Sequence, residues 1–145
     1  MNKRLVLGGV VAFLVTFNLG YVFHEILAAD FLKASFGAGV QREVYVIPVI
    51  ALAFVIYCAL MASTYPIFFS YFSERRGYSK LKTGLLQGLL FGFLWDSLQG
   101  GIIEYATYNV GLPAMLVDSA YHTLEGAVAG TIIGALYMPG IAKSR

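Results

Sequence analysis

A chain of 145 residues with 59% apolar side chains, 15% aromatic and only 12% charged is too apolar for a water-soluble domain of its size and reads as a membrane protein. The net charge of +2 is spread in small groups, which excludes a nucleic-acid surface, and the single cysteine, Cys58, excludes an internal disulfide or a thiolate metal cluster.

The first apolar run covers residues 5–29. It exceeds the roughly 7 to 15 residues of a signal-peptide core, reaches the ~20 needed to cross a bilayer, and has no Ala-x-Ala site before Asp30. It therefore reads as a first span with a polar far end that carries Asn18, Tyr21, His24 and Glu25. Residues 30–43, with Phe31, Leu32, Phe36 and a Gly-Ala-Gly break, fit a short interfacial helix and a turn. A second span is expected over residues 44–66 of an apolar run that continues to Phe72, with Pro48 tolerated in its first turn and either a tilt of the run or a kink at Pro66 that lays the aromatics of 68–72 at the interface. Residues 73–82 form a polar loop holding Arg75, Arg76, Lys80 and Lys82.

The third span, residues 83–104, contains Gly84, Gly88, Gly92, Asp96, Gly100 and Glu104 at an unbroken stride of four. The fourth, opened by Pro113 and running over residues 113–138, answers with Asp118, His122, Gly126, Gly130 and Gly134. Rows of small residues let two backbones approach closely in lipid, so the third and fourth spans are predicted to pack on their glycines. The expected fold class is thus all-α, a single membrane domain over 1–145 with four transmembrane helices in a bundle. Eight Lys and Arg (3, 4, 75, 76, 80, 82, 143, 145) fall on one side and two (33, 42) on the other, which places both termini and the 73–82 loop in the cytoplasm. Of eight acids only Glu74 shares that side.

Asp118, His122 and Glu125 stand at i, i+4 and i+7 and so share one helix face. Ionisable groups at membrane depth are costly and usually functional, so these three, with Asp96 and Glu104 from the third span, are the expected binding site. The competing reading is a hydrogen-bonded cluster in which Asp96 or Glu104 meets His122 and merely fixes the helix pair. His24 and Glu25 either complete the pocket or sit solvated at the headgroup level. Mixed imidazole and carboxylate ligands suit Zn, Mn or Fe, and a metal would fall to His122 and Glu125, although no second copy of that pair exists. No cofactor is indicated: Walker, dinucleotide, Gly-x-Ser-x-Gly and Cys-x-x-Cys motifs are all missing from the sequence.

The stretch from Gly8-Gly9-Val-Val-Ala-Phe-Leu through Gly20-Tyr21 to Leu27-Ala28-Ala29-Asp30-Phe31, then Tyr105-Ala106-Thr107-Tyr108-Asn109, Val117-Asp118 and Gly126-Ala127-Val128-Ala129-Gly130, resembles an uncharacterised family of short bacterial four-helix integral membrane proteins. The resemblance implies a topology and no reaction. The sequence-level expectation is a multi-pass protein of the bacterial cytoplasmic (inner) membrane with an outward-facing acidic and His pocket. It would act as a small transporter or a cation-binding or small-molecule-binding subunit, with the lipid bilayer and a second copy or membrane partner around it. A membrane enzyme and a ligand-free assembly protein are the alternatives.

Overall fold

The computed structural model describes residues 3–36 and 44–139, apart from the side chains of Asp96, Ser97, Gln99 and Glu104. Helix α1, Lys3–Val22, continues as a π-helical turn, Phe23–Leu27, and breaks at Ala28, whose N–H closes on the Phe23 carbonyl at 2.8 Å. Helix α2, Ala29–Ser35, has Asp30 in its first turn and Lys33 in its last, each complementing the helix dipole. This is the short helix expected after the first span, and the rest of the 30–43 connector, residues 37–43, lies outside the described residues.

Helix α3, Ile47–Phe68, starts with Pro48 in its first turn and runs on through Pro66 into a π-helical turn, Phe69–Glu74. The sequence reading ended this span at 66. Proline removes a single donor, however, and where little water competes for the remaining backbone groups the helix is still their best partner. The polar loop shrinks accordingly to the turn around Gly77, whose φ of +70° is the left-handed conformation glycine permits. Helix α4, Lys80–Gly92, is capped by Ser79, whose Oγ accepts the Lys82 N–H at 3.2 Å. It continues as a π-helical segment, Phe93–Ile103, then a short α5, Glu104–Thr107. Helix α6, Leu112–Leu136, carries Pro113 in its first turn.

Helix α6 lies at the centre, with α4 against one flank, α1 against another and α3 packed on both α1 and α4. The α4–α6 seam is glycine on glycine. A β-carbon on Gly84 would collide with the Gly130 carbonyl, one on Gly88 with the Gly126 carbonyl, and one on Gly92 with the backbone of His122 and Thr123. Gly134 meets the backbone of Lys80. The expected glycine rows are therefore a packing face from Gly84 to Gly92 and from Gly126 to Gly134.

Beyond Gly92 the seam continues at Gly101, off the stride of four, where a β-carbon would strike the Ser119 hydroxyl of α6. A stride of four assumes α-helical winding, whereas a π-helix, with i→i+5 hydrogen bonds, turns through roughly 4.4 residues. Nine residues of it make about two full turns, which returns Gly101 to the side of Gly92.

The fully buried core lies in the half of the bundle nearer Lys80, where Cys58, Met61, Ala62 and Tyr65 of α3 meet Leu5, Ala12, Ala129 and Ile133. Polar groups there are tied down: Tyr65 donates to the Lys80 carbonyl at 2.8 Å, Lys80 Nζ donates to the Tyr137 carbonyl at 3.1 Å, and Gln87 Nε2 donates to Met61 O and Thr64 Oγ1, both at 2.9 Å. At the opposite end α2 lies across the bundle. Gly111 N–H donates to Ser35 O at 2.9 Å, Phe36 pairs with Val110, and Ala28 and Leu32 pack on Val110 and Ala114.

Two helical stretches, Lys3–Leu27 and Ile47–Glu74, are long and apolar enough to cross a membrane. The surfaces of the other two long helices match them. Leu112, Pro113, Leu116, Val117, Ala120, Leu124, Val128 and Ala135 are the exposed residues of α6, and every exposed side chain described from Leu85 to Ile103 is apolar. Among the described residues from Leu85 to Ile103 and along α6, glycines and polar side chains are buried or half-buried, which inverts the usual arrangement of a soluble bundle.

Candidate functional site

Four ionisable side chains meet near the α2 end of the bundle. His24, on the π-helical turn of α1, places Nε2 2.9 Å from Asp118 Oδ1. His122, one turn along α6, has Nε2 3.7 Å from the same oxygen, and its Nδ1 lies 3.0 Å from Glu125 Oε2. Tyr121 donates to the other Glu125 oxygen at 2.8 Å. The cluster runs inward, since side-chain exposure falls from 33% at His24 and 29% at Asp118 to 14% at His122 and 4% at Glu125.

Local structure explains the placement. The i, i+4, i+7 spacing sets Asp118, His122 and Glu125 on one face of α6. The π turn of α1 directs His24 back to them, and a face-to-face stack of Phe23 on Tyr121, with centroids 3.8 Å apart, locks that turn against α6. The rings of His24 and His122 come within 5.2 Å of each other. Gly20, one turn before His24, packs beside the Glu125 carboxylate, where a β-carbon would make ordinary contact with Oε1 at 3.5 Å.

Hydrogen-bond logic fixes the tautomers. His24 Nδ1 is 2.9 Å from the Gly20 carbonyl, which can only accept, so Nδ1 carries a proton. With Glu125 ionised, His122 Nδ1 donates in the same way. Both rings then turn Nε2 toward Asp118 Oδ1. Three acceptor atoms converge within 4.8 Å of one another, and such a convergence is stable only with a proton or another cation among them.

A cavity of about 190 Å³ opens on the other side of His122 and Glu125, lined by Ala53, Phe54, Tyr57, Gly92 and Trp95. A second hollow of about 170 Å³ between α1 and α3 has only apolar walls and no group able to hold an ion. From the residues alone a pocket is expected between the first, third and fourth spans, whereas this cavity is lined by α3, through Ala53, Phe54 and Tyr57, by Gly92 and Trp95, and by His122 and Glu125 of α6. Trp95 is one of its walls.

Of the residues expected from sequence, His24, Asp118, His122 and Glu125 come together. Glu25 is half-buried, and among the described residues no hydrogen bond or ion pair ties it to the cluster. The side chains of Asp96 and Glu104 lie outside the described residues, and the described carboxylates that meet His122 are Asp118 and Glu125. His122 and Glu125, the pair the sequence offers for a metal, meet through Nδ1 and Oε2 at 3.0 Å. Because Glu125 takes Nδ1, the atoms that converge are those of His24, Asp118 and His122. Sequence reasoning missed Tyr121 and Phe23. Tyr121 stands at i, i+4 from Glu125 and was within reach of that rule, whereas Phe23 carries no such signal.

No family model, curated protein or solved structure matches this chain.

Proposed function

We propose that the chain is a four-span integral membrane protein of a bacterial cytoplasmic membrane, with both ends inside, and that it binds a small cation in a pocket at its outer end. One observation carries the reading. His24, Asp118, His122 and Glu125 converge inside a bundle whose described exposed side chains are apolar along α6 and from Leu85 to Ile103, and one nitrogen or oxygen atom from each of His24, Asp118 and His122 lies within 4.8 Å of the other two. Such a cluster at membrane depth is expensive unless it holds a charge. Hydroxyls elsewhere in the helices fold back onto their own carbonyls, as Thr16 does on Ala12 at 2.9 Å and Thr131 on Ala127 at 2.7 Å, which suits lipid surroundings.

Below Glu125 the glycine seam and the Met61–Tyr65–Ile133 core close the bundle, so the pocket has an outer mouth and a sealed floor. That favours a cation-binding subunit over a self-contained channel. Any transport would call for a second copy or another membrane subunit, which the apolar outer faces suit.

The test compares the unfolding midpoint of purified protein with that of Glu125→Gln in Na⁺, K⁺, Mg²⁺, Mn²⁺, Zn²⁺ and tetramethylammonium. Glutamine keeps shape and hydrogen bonding while removing charge, so the variant should fold and lose the cation response. If the two proteins respond identically to every cation, the scaffold reading replaces this one. The topology is checked separately with an impermeant thiol reagent on intact cells: a cysteine at Ser35 should label and one at Ser79 should not, and the reverse pattern would invert the map.

A further inference from the structure

The geometry points to a divalent first-row transition-metal site, with Zn²⁺ the best-matched ion, formed by His24 Nε2, His122 Nε2 and Asp118 Oδ1. This rests on the cation-pocket reading and names its ligand class. Ligand type comes first: two imidazoles and one carboxylate suit Zn, Fe or Mn rather than Mg or Ca, which take oxygen ligands.

Spacing comes second. Bonds of about 2.0–2.1 Å to a tetrahedral ion put ligand atoms about 3.3 Å apart. The two distances to Asp118 Oδ1, 2.9 Å from His24 and 3.7 Å from His122, bracket that edge, so small side-chain rotations seat the ion.

Orientation comes third. Metal-bound histidines usually donate their other ring N–H to a carbonyl or carboxylate, which fixes the tautomer and the ring plane. Both partners are already in place here: the Gly20 carbonyl behind His24 and the Glu125 carboxylate behind His122, itself held by the Tyr121 hydroxyl. Glu125 is thus a positioning residue. Among the described residues three side chains supply the ligand atoms, and His24 and Asp118 are the more exposed of them.

The experiment uses the full chain in detergent, loaded with Zn²⁺ or Co²⁺ and freed of excess metal. Wild type should retain one ion per chain, show visible d–d bands with Co²⁺, and give an X-ray absorption signal for two imidazoles with Zn²⁺. His24→Ala and Asp118→Asn should weaken binding at least tenfold, Glu125→Gln should weaken it by about 10–100-fold through loss of orientation, and Glu25→Gln should bind as wild type does. Should a variant fail to fold, the imidazole count on wild type still decides. An all-oxygen ligand set, or no retained metal alongside a Glu125-dependent response to Na⁺ or tetramethylammonium, overturns the metal site and leaves the cation pocket standing. Indifference of wild type to every cation overturns both.

Discussion

Helix α6 is built in two halves that solve opposite problems. From Gly126 to Gly134 its side chains are reduced to hydrogen so that backbones can touch, and the energy comes from contact between atoms with no conformational freedom to lose. From Asp118 to Glu125 the side chains are polar and bulky, and α4 accommodates them by changing to π winding where it passes them. The tight half fixes the helix pair, and the loose half uses that rigidity to hold charges that would otherwise repel or hydrate. A π-helix inside an α-helix costs hydrogen-bond geometry and tends to mark functional positions, and here it begins at Phe93, beside the wall of the pocket.

The comparison breaks most sharply in the tight half. Gly130→Leu places carbon against the Gly84 carbonyl and the Gly88 backbone, which no rotamer relieves, and should cost about 3 kcal/mol or more in an SDS or thermal unfolding assay. A wild-type midpoint would remove the seam from the account. In the loose half, Tyr121→Phe keeps the stack on Phe23 and deletes one hydrogen bond to Glu125, for a loss of about 1 kcal/mol on the same scale. The smallest effect should come from Gln87→Leu. Gln87 is fully buried, its Oε1 has no hydrogen-bond partner among the described residues, and interhelical hydrogen bonds in membranes average about 0.6 kcal/mol. Removing the amide should therefore change stability by less than about 0.5 kcal/mol, and a large loss would show that the polar tie between α3 and α4 matters as much as the glycines.

What the sequence revealed followed from rules internal to one helix. The glycine rows and the Asp118, His122, Glu125 face are consequences of about 3.6 residues per turn, and both are where that period puts them. What it concealed depended on departures from the period or on rotation between helices. Gly101, nine residues from Gly92 and off the stride of four, meets α6 because the winding changes at Phe93. His24 joins the cluster, and its neighbour Glu25 does not, because the π turn of α1 sets which of the two faces α6. Tyr57 and Phe54 reach the cavity because α3 is rotated by its packing on α1, through Gly9 against Ala62 and Phe17 against Phe54, and no pattern within α3 encodes that angle.

The strap formed by α2 has a consequence of its own. It begins five residues after His24, and it is fastened through Ser35–Gly111 and Phe36–Val110 to the residues that lead into α6, seven residues before Asp118. The two donors on different helices are therefore joined by a short bridge as well as by the long way around the bundle, which raises their effective concentration toward each other. Ordering them is largely completed when the protein folds, so little of the ion's binding energy is consumed in gathering its ligands. Linkage runs in both directions: whatever an ion gains from a docked strap, the strap gains from the ion, and the proposed cation at His24 and Asp118 would act as a clasp on the end of the bundle.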